Sequence, residues 1–314
     1  MVKRCKNTDK KADFQQKQIV LLAFNALKMG ESHVFTSVES IQTRLRNEPE
    51  NSTIGFLPTM GALHHGHLAL VSQALYETDI VVVSIFVNPT QFNKSEDLEN
   101  YPRNLDEDLE MINSVGKVLV FAPNVDEVYP IDYEDLTIDL GELGTTMEGE
   151  FRPGHFVGVM NVVKRLFDII RPTKAYFGLK DLQQVAVVQF MVDELSLPVE
   201  IVPCEIIREP SGLASSSRNK RLSDEQLEEA VIIIRTLEYA RDLAMENGPD
   251  ETRIRAMEFM KDSNLEIEYL EMVDPKKLKI LKAWIPGAMA CIVAYNNGVR
   301  LLDNLEMIPK EEIT

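Results

Sequence analysis

Several things are scarce in this sequence, and each scarcity excludes something. Cysteine is nearly missing: Cys5, Cys204 and Cys291 are odd in number and widely spaced, with no CxxC pair. No disulfide framework can be drawn from them, which suits a reducing cytosol. Long apolar runs are also missing; none approaches the ~18 residues of a membrane-spanning helix, so no membrane partner is expected. Basic charge is short, with 33 Lys and Arg against 50 Asp and Glu and a formal net charge of −17. Nucleic-acid binding rests on neutralising phosphates with Lys and Arg, so that partner class is excluded. There is no low-complexity segment and no internal repeat with a period of roughly 20–50 residues. The composition itself is ordinary, 45% hydrophobic and 26% charged over 314 residues. At ~150 residues per domain that length suggests two domains.

One segment departs from the acidic average. Residues 1–28 hold seven basic residues against Asp9 and Asp13, and an apolar stretch covers positions 19–27. Asn25 interrupts the stretch and no A-x-A-like cleavage site follows. The segment therefore reads as a loosely attached or short helical extension, not as a secretion signal.

From residue 54 the chain alternates β-rich and helical stretches. Positions 54–57 read as a buried strand broken by Pro58. A helix is expected over 67–77, where Leu68, Val71 and Leu75 form one apolar stripe. Positions 80–87 (IVVVSIFV) are nearly all apolar and rich in β-branched residues, as in a central parallel strand covered on both faces. Helices over 105–112, 159–170 and 185–195 and strands over 118–121, 175–177 and 199–202 continue the pattern. Such alternation implies right-handed βαβ units and a doubly wound parallel α/β sheet. After Arg208 the texture changes. Ser223 and Gln226 form a capping-box pattern opening a long helix to about Met245. A break at Gly248–Pro249, a second helix and strands over 265–272, 290–295 and 299–308 follow, with Asn297–Gly298 as a hairpin turn. These fit a smaller α+β domain. The division is expected at 206/207, giving an extension (1–30), a sheet domain (31–206) and a C-terminal domain (207–314).

Three of the five histidines fall within four positions, His64-His65-Gly66-His67, where a strand gives way to a glycine-containing loop and a helix. Ligands in doubly wound sheets bind beyond the carboxyl ends of the strands, and a helix N-terminus there suits phosphate. His64 and His67 can both face one anion, and a pKa near neutrality lets them hydrogen-bond a phosphate or share its charge. Zinc is a competing use of H-x-x-H, but no nearby Cys or acid completes a ligand set, so no metal is assigned. Asn88 and Gln91 follow the second strand at the same sheet edge and suit a small carboxylate and hydroxyl substrate, or simply form a turn. Lys180 and Asp181 follow a later strand and could hold phosphate and a ribose hydroxyl. Of Gln183 and Gln184, one can reach substrate while the other is surface. Ser215, Ser216, Ser217 and Arg218 are phosphate-holding types, or an ordinary solvated loop. The Gly154–His155 pair fits an active-site wall or a subunit contact. Cys204, in an apolar strand, reads as buried.

Taken together, PTMGALHHGH (58–67), IFVNPTQF (85–92), YPR (101–103), RPGHF (152–156), FGLKDLQQ (177–184) and SSRN (216–219) resemble the pantothenate synthetase (pantoate–β-alanine ligase) family. The resemblance covers residues 34 to about 310. It implies a Rossmann-like fold of the HxGH nucleotidylyltransferase superfamily with a smaller closing C-terminal domain. It also implies a cytosolic homodimer that condenses D-pantoate and β-alanine with ATP and Mg²⁺, through pantoyl adenylate, releasing AMP and pyrophosphate. Carried over by position, Met60, Gly61, Ala62, Leu63, His64, His65, Gly66 and His67 line the ATP site, with His64 and His67 on the phosphates and His67 as proton donor. Gly178, Leu179, Lys180, Asp181 and Ile207 hold adenine, ribose and phosphate. Ser215, Ser216, Ser217 and Arg218 close on the triphosphate. Gln91 and Gln184 take pantoate, Gln91 also β-alanine, with Asn88 and Tyr101 walling the pocket. Leu179 stands where many relatives carry Glu, and Ser215 where Met is usual. Residues 1–30 have no counterpart, so the extension is expected to be dispensable and Met29 to be able to serve as the start. A nucleotidylyltransferase that stops after nucleotide transfer shares the HxGH tetrad; Gln91 and Gln184 argue for a carboxylic-acid substrate instead.

Overall fold

A computed structural model describes residues 31–92, 98–99 and 101–309. Met29, Cys5 and the rest of the N-terminal extension lie outside the described residues. A six-stranded sheet is built from β1 (His33–Phe35), β2 (Ile54–Thr59), β3 (Ile80–Ile85), β4 (Leu119–Phe121), β5 (Lys174–Gly178) and β6 (Glu200–Cys204). All its pairings are parallel, in the order β1-β4-β3-β2-β5-β6. The chain thus proceeds outward from β2 through β3 and β4, then returns to place β5 on the other side of β2. That reversal puts the ligand crevice beyond the carboxyl ends of β2 and β5.

Side chains along the strands alternate between two cores. Phe56, Val82, Phe121 and Ala175 face a layer formed by α1 (Val38–Arg46), α6 (His155–Ile170) and α7 (Leu182–Glu194). Leu57, Val81, Val83, Val120 and Tyr176 face α2 (His65–Glu77) and α3 (Leu105–Asn113). This double coverage is why the strands read as continuous apolar runs. Two short helices, α4 (Val125–Val128) and α5 (Glu148–Phe151), lie between α3 and α6. Cys204 is buried, and burial pushes its thiol up to about 12, which makes it inert.

Pro58 does not end β2. The strand runs to Thr59 and stays paired with β3 throughout, Pro58 lying opposite Ser84. What stops is the ladder to β5, whose last aligned pair is Phe56 with Ala175. The carbonyls of Thr53 and Thr59 accept from Ile80 and Phe86 on the β3 side, whereas that of Ile54 accepts from Thr173 on the β5 side. Backbone groups alternate along a strand, so position 58 faces β5, and a proline there has no N–H to donate. The proline thus opens the gap between β2 and β5.

A second, antiparallel sheet comprises β7 (Glu266–Val273), β8 (Met289–Asn296) and β9 (Val299–Glu306), in that order. Asn297 and Gly298 turn the β8–β9 hairpin with φ of 47° and 78°, both left-handed, as a tight hairpin turn requires. Helices α8 (Asp224–Ala230), α9 (Ile232–Ala244) and α10 (Pro249–Met260) pack their apolar side chains with those of this sheet. The single helix expected from Ser223 to Met245 is two: the capping box forms, but Val231 interrupts the helix, its N–H bonding to the Glu228 carbonyl three residues back. Val273 and Cys291, in the second sheet, join the core beneath α6 and α7.

Candidate active site

The loop from β2 into α2 is strained and held. Gly61 and Ala62 are consecutive left-handed residues, with φ of 78° and 52°, a conformation unfavourable for alanine. The carboxylate of Asp108, on α3, accepts the N–H groups of Ala62 (3.0 Å) and Leu63 (2.7 Å) and so holds the loop. Helix α2 then starts at His65, two residues before the expected position, because His64 is its cap. The His64 Nδ1 accepts the Gly66 N–H (3.1 Å), and the His67 Nδ1 accepts the His64 N–H (3.3 Å).

The two rings, 4.0 Å apart between centres, are therefore a reciprocal cap. With both Nδ1 atoms accepting, the ring protons sit on Nε2, the nitrogen left for a ligand. Burial drives His64 down to about 2, aided by the His67 ring and the Lys180 ammonium. Burial also lowers His67 to about 4, with Asp181 opposing and Lys180 assisting. The near-neutral titration expected from sequence is therefore corrected: in the free protein both histidines are uncharged N–H donors. His65 lies between them, at the first position of α2.

At the end of β3, Asn88 is wholly buried. Its amide donates to Gln91 Oε1 (3.2 Å) and the Gly158 carbonyl (3.2 Å), and its oxygen accepts from Thr90 and Tyr129. It holds the turn that carries Gln91. The Gln91 side chain donates to the sulfur of Met60 (2.8 Å), joining this turn to the histidine loop. From below, His155 Nδ1 donates to the Gln91 carbonyl (3.0 Å), and burial lowers that histidine to about 4, so its ring is neutral.

From Gly178, the last residue of β5, Leu179, Lys180 and Asp181 form a short turn into α7. Lys180 has no carboxylate within salt-bridge distance among the described residues. Gln184 is half-buried and lines the cleft. Gln183 is not the surface partner expected: it is buried, accepts the Glu148 N–H (3.0 Å) and donates to the carbonyls of Leu143 and Thr146.

The segment after β6 folds back onto the histidine corner. Ser215 N–H donates to the Ile207 carbonyl (2.9 Å), and a Cβ on Gly66 would lie 3.8 Å from Ser215 Cβ. The Ser215 hydroxyl is committed to Glu209 (2.6 Å), and Ser216 Oγ caps the next turn by accepting the Arg218 N–H. Tyr101 hydrogen-bonds Ser217 and lies in the field of Arg218. Sequence reasoning missed Asp108 and Lys220, the latter in the field of His64, and gave no role to Arg152 of the RPGHF motif, which lies in the cleft wall. An acid on an amphipathic helix carries no signal that separates it from a solvated face.

A cleft between the two sheets is lined by Lys180, Asp181 and Gln184 on one side and Tyr269, Asp303 and Asn304 on the other. A sequence profile of the pantoate–β-alanine ligase family matches residues 33–306. The chain belongs to that family. The pantothenate synthetase of Christiangramia forsetii is 45% identical over 271 residues, 85% of this chain and 96% of that protein. The one from Aquifex aeolicus is 43% identical, over 86% of this chain and 97% of that protein. Among solved structures, the pantothenate synthetase of Thermus thermophilus superposes with a TM-score of 0.83 at 40% identity, covering 88% of this chain and all of that one. The Francisella tularensis pantoate–β-alanine ligase, solved with β-γ ATP and β-alanine, gives 0.73 at 31% identity, covering 88% of this chain and 98% of that one. As a pantoate–β-alanine ligase family member the chain is an enzyme. No described helix is long and apolar enough to cross a membrane.

Proposed function

We propose that the chain condenses pantoate with β-alanine at the expense of ATP, through an acyl adenylate. One observation carries this reading: His64, Gln91 and Lys180 on turns, and His67 and Gln184 in the first turns of α2 and α7, gather at the same end of one sheet. In the first step a pantoate carboxylate oxygen attacks the α-phosphorus, the bond to the bridging oxygen breaks, and pyrophosphate leaves with the electron pair. Charge grows on the phosphoryl oxygens, where Lys180, Arg218 and the N-terminus of α2 offer fixed positive potential. His67 and His64 donate hydrogen bonds there without first losing a proton to solvent. In the second step the amine of β-alanine attacks the acyl carbon, AMP leaves, and the nitrogen gives up a proton. Gln91 and Gln184 orient pantoate through both steps.

No three His, Cys, Asp or Glu side chains converge into a metal cage among the described residues. A Mg²⁺ would enter on the triphosphate, where it would neutralise phosphate charge. Residues 207–314 act as a lid that keeps water from the adenylate, residues 31–206 carry nucleotide and pantoate, and the enzyme works as a cytoplasmic homodimer. The N-terminal extension, residues 1–30, is dispensable.

Product analysis tests the reading. AMP and pyrophosphate should form in step with pantothenate when β-alanine is present. A nucleotidylated product with no amide would instead mark an enzyme that stops after the first step. Lys180→Ala should slow pyrophosphate release by orders of magnitude with an unchanged melting temperature, and His67→Ala should slow it as much with a lowered melting temperature, since the ring also caps α2; near-normal turnover in both would overturn the site.

A further inference from the structure

The turn that carries Lys180 is secured from the other sheet. Neither the turn nor the start of α7 has a side-chain cap of its own. Instead the amide of Asn304, on β9, donates to the carbonyls of Leu179 (2.8 Å) and Lys180 (3.0 Å). Asn304 is itself fixed: it is buried, its N–H is taken by Asp303 (2.8 Å), and its carbonyl accepts from Arg208 (3.2 Å). Arg208 in turn grips the buried Asp303 carboxylate with two bonds, of 2.6 and 2.9 Å. The Asn304 side-chain oxygen is buried with no partner among the described residues. Leaving an acceptor unpaired carries a cost, so the site is built around the two donated bonds.

We propose that Asn304 is a positioning residue for Lys180, acting through the backbone of the 178–181 turn. This rests on the assignment of Lys180 to phosphate in the reaction above. Only a group with two N–H bonds on one nitrogen can serve two successive carbonyls from this position. Aspartate has the same shape and no such donors, and would set a negative charge against both oxygens. The arrangement also makes the placement of the Lys180 ammonium depend on where β9 sits. The second sheet would therefore align a cation as well as exclude water.

The test is a double-mutant cycle on the full chain, read by pyrophosphate release with pantoate and ATP. Asn304→Asp should lower kcat about tenfold or more, the rate equivalent of ~1.4 kcal/mol, with little change in the KM for pantoate. In a Lys180→Ala background the same change should have almost no further effect, because the group it positions is gone. Equal losses in both backgrounds would overturn the proposal and leave Asn304 a merely structural residue, as would wild-type turnover in the single variant. Asn304→Ser, whose hydroxyl is too short to reach the carbonyls, gives the same readout if the aspartate variant does not fold. Absence of pyrophosphate release in the wild-type enzyme would instead fail the reaction itself.

Discussion

A histidine that is neutral when folded, but titrates at 6.5 when exposed, makes folding sensitive to acid. His64, His67 and His155 titrate at about 2, 4 and 4 in the folded chain, chiefly through burial. Between pH 6.5 and about 4 the unfolded chain therefore binds more protons. The stability these residues contribute is complete above pH 6.5 and falls as the pH drops through that window, by ~1.4 kcal/mol for each unit of each shift realised. Urea midpoints taken at pH 7 and 4.5 should differ steeply, and His67→Gln or His155→Gln should flatten the slope; an unchanged slope in both would show that these rings are charged when folded. At this scale the sequence was readable where residue types cluster along the chain, as in the histidine tetrad and the Lys180 motif. It was silent on Asp108 and Asn304, whose partners lie dozens of residues away or more. Nor could it say that the tetrad's rings cap their own helix and so stay uncharged.

Helix α6 and the turn holding Gln91 approach as closely as two backbones can. A Cβ on Gly158 would meet the Thr90 carbonyl oxygen at 2.6 Å and the Gln91 Cα at 2.9 Å, both backbone atoms that cannot swing aside. Gly158→Ala should cost about 1–3 kcal/mol by overpacking and shift Gln91. The loss in kcat/KM should be larger for pantoate than for ATP, which a melting curve and two substrate titrations would show. Elements with strong periodicity, such as β3 and α6, were legible to within a few residues. The short β1 and α4 offered too few positions for a period to register. The division of α8 from α9 at Val231 had no glycine or proline to announce it, since a helix can change its hydrogen-bond spacing without changing its composition.

For the molecule as a whole, the two sheets are tied across the cleft by a part-buried ion cluster. Arg300 of β9 makes paired bonds to Glu148 of α5 and also holds Glu268 of β7, while the hydroxyl of Tyr269 donates to Glu148. Burial alone would raise the Glu148 carboxyl, but the bonds and charge of Arg300 outweigh it and hold it below the usual range. Arg300→Met should therefore cost up to ~3 kcal/mol at neutral pH, since Glu148 is left with Tyr269 and a longer contact to Arg152, and Glu268 with Tyr295. Arg300→Met with Glu148→Gln should recover part of that loss, and a urea titration of the set measures it. The change of texture near residue 207 was visible in sequence, but a tie between positions 152 residues apart was not.

The break in pairing at Pro58 has a further consequence. The slot between β2 and β5 is held open by the lack of one hydrogen atom, not by any contact, so no rearrangement of neighbouring side chains can zip it shut. Its durability is written into a ring of five atoms.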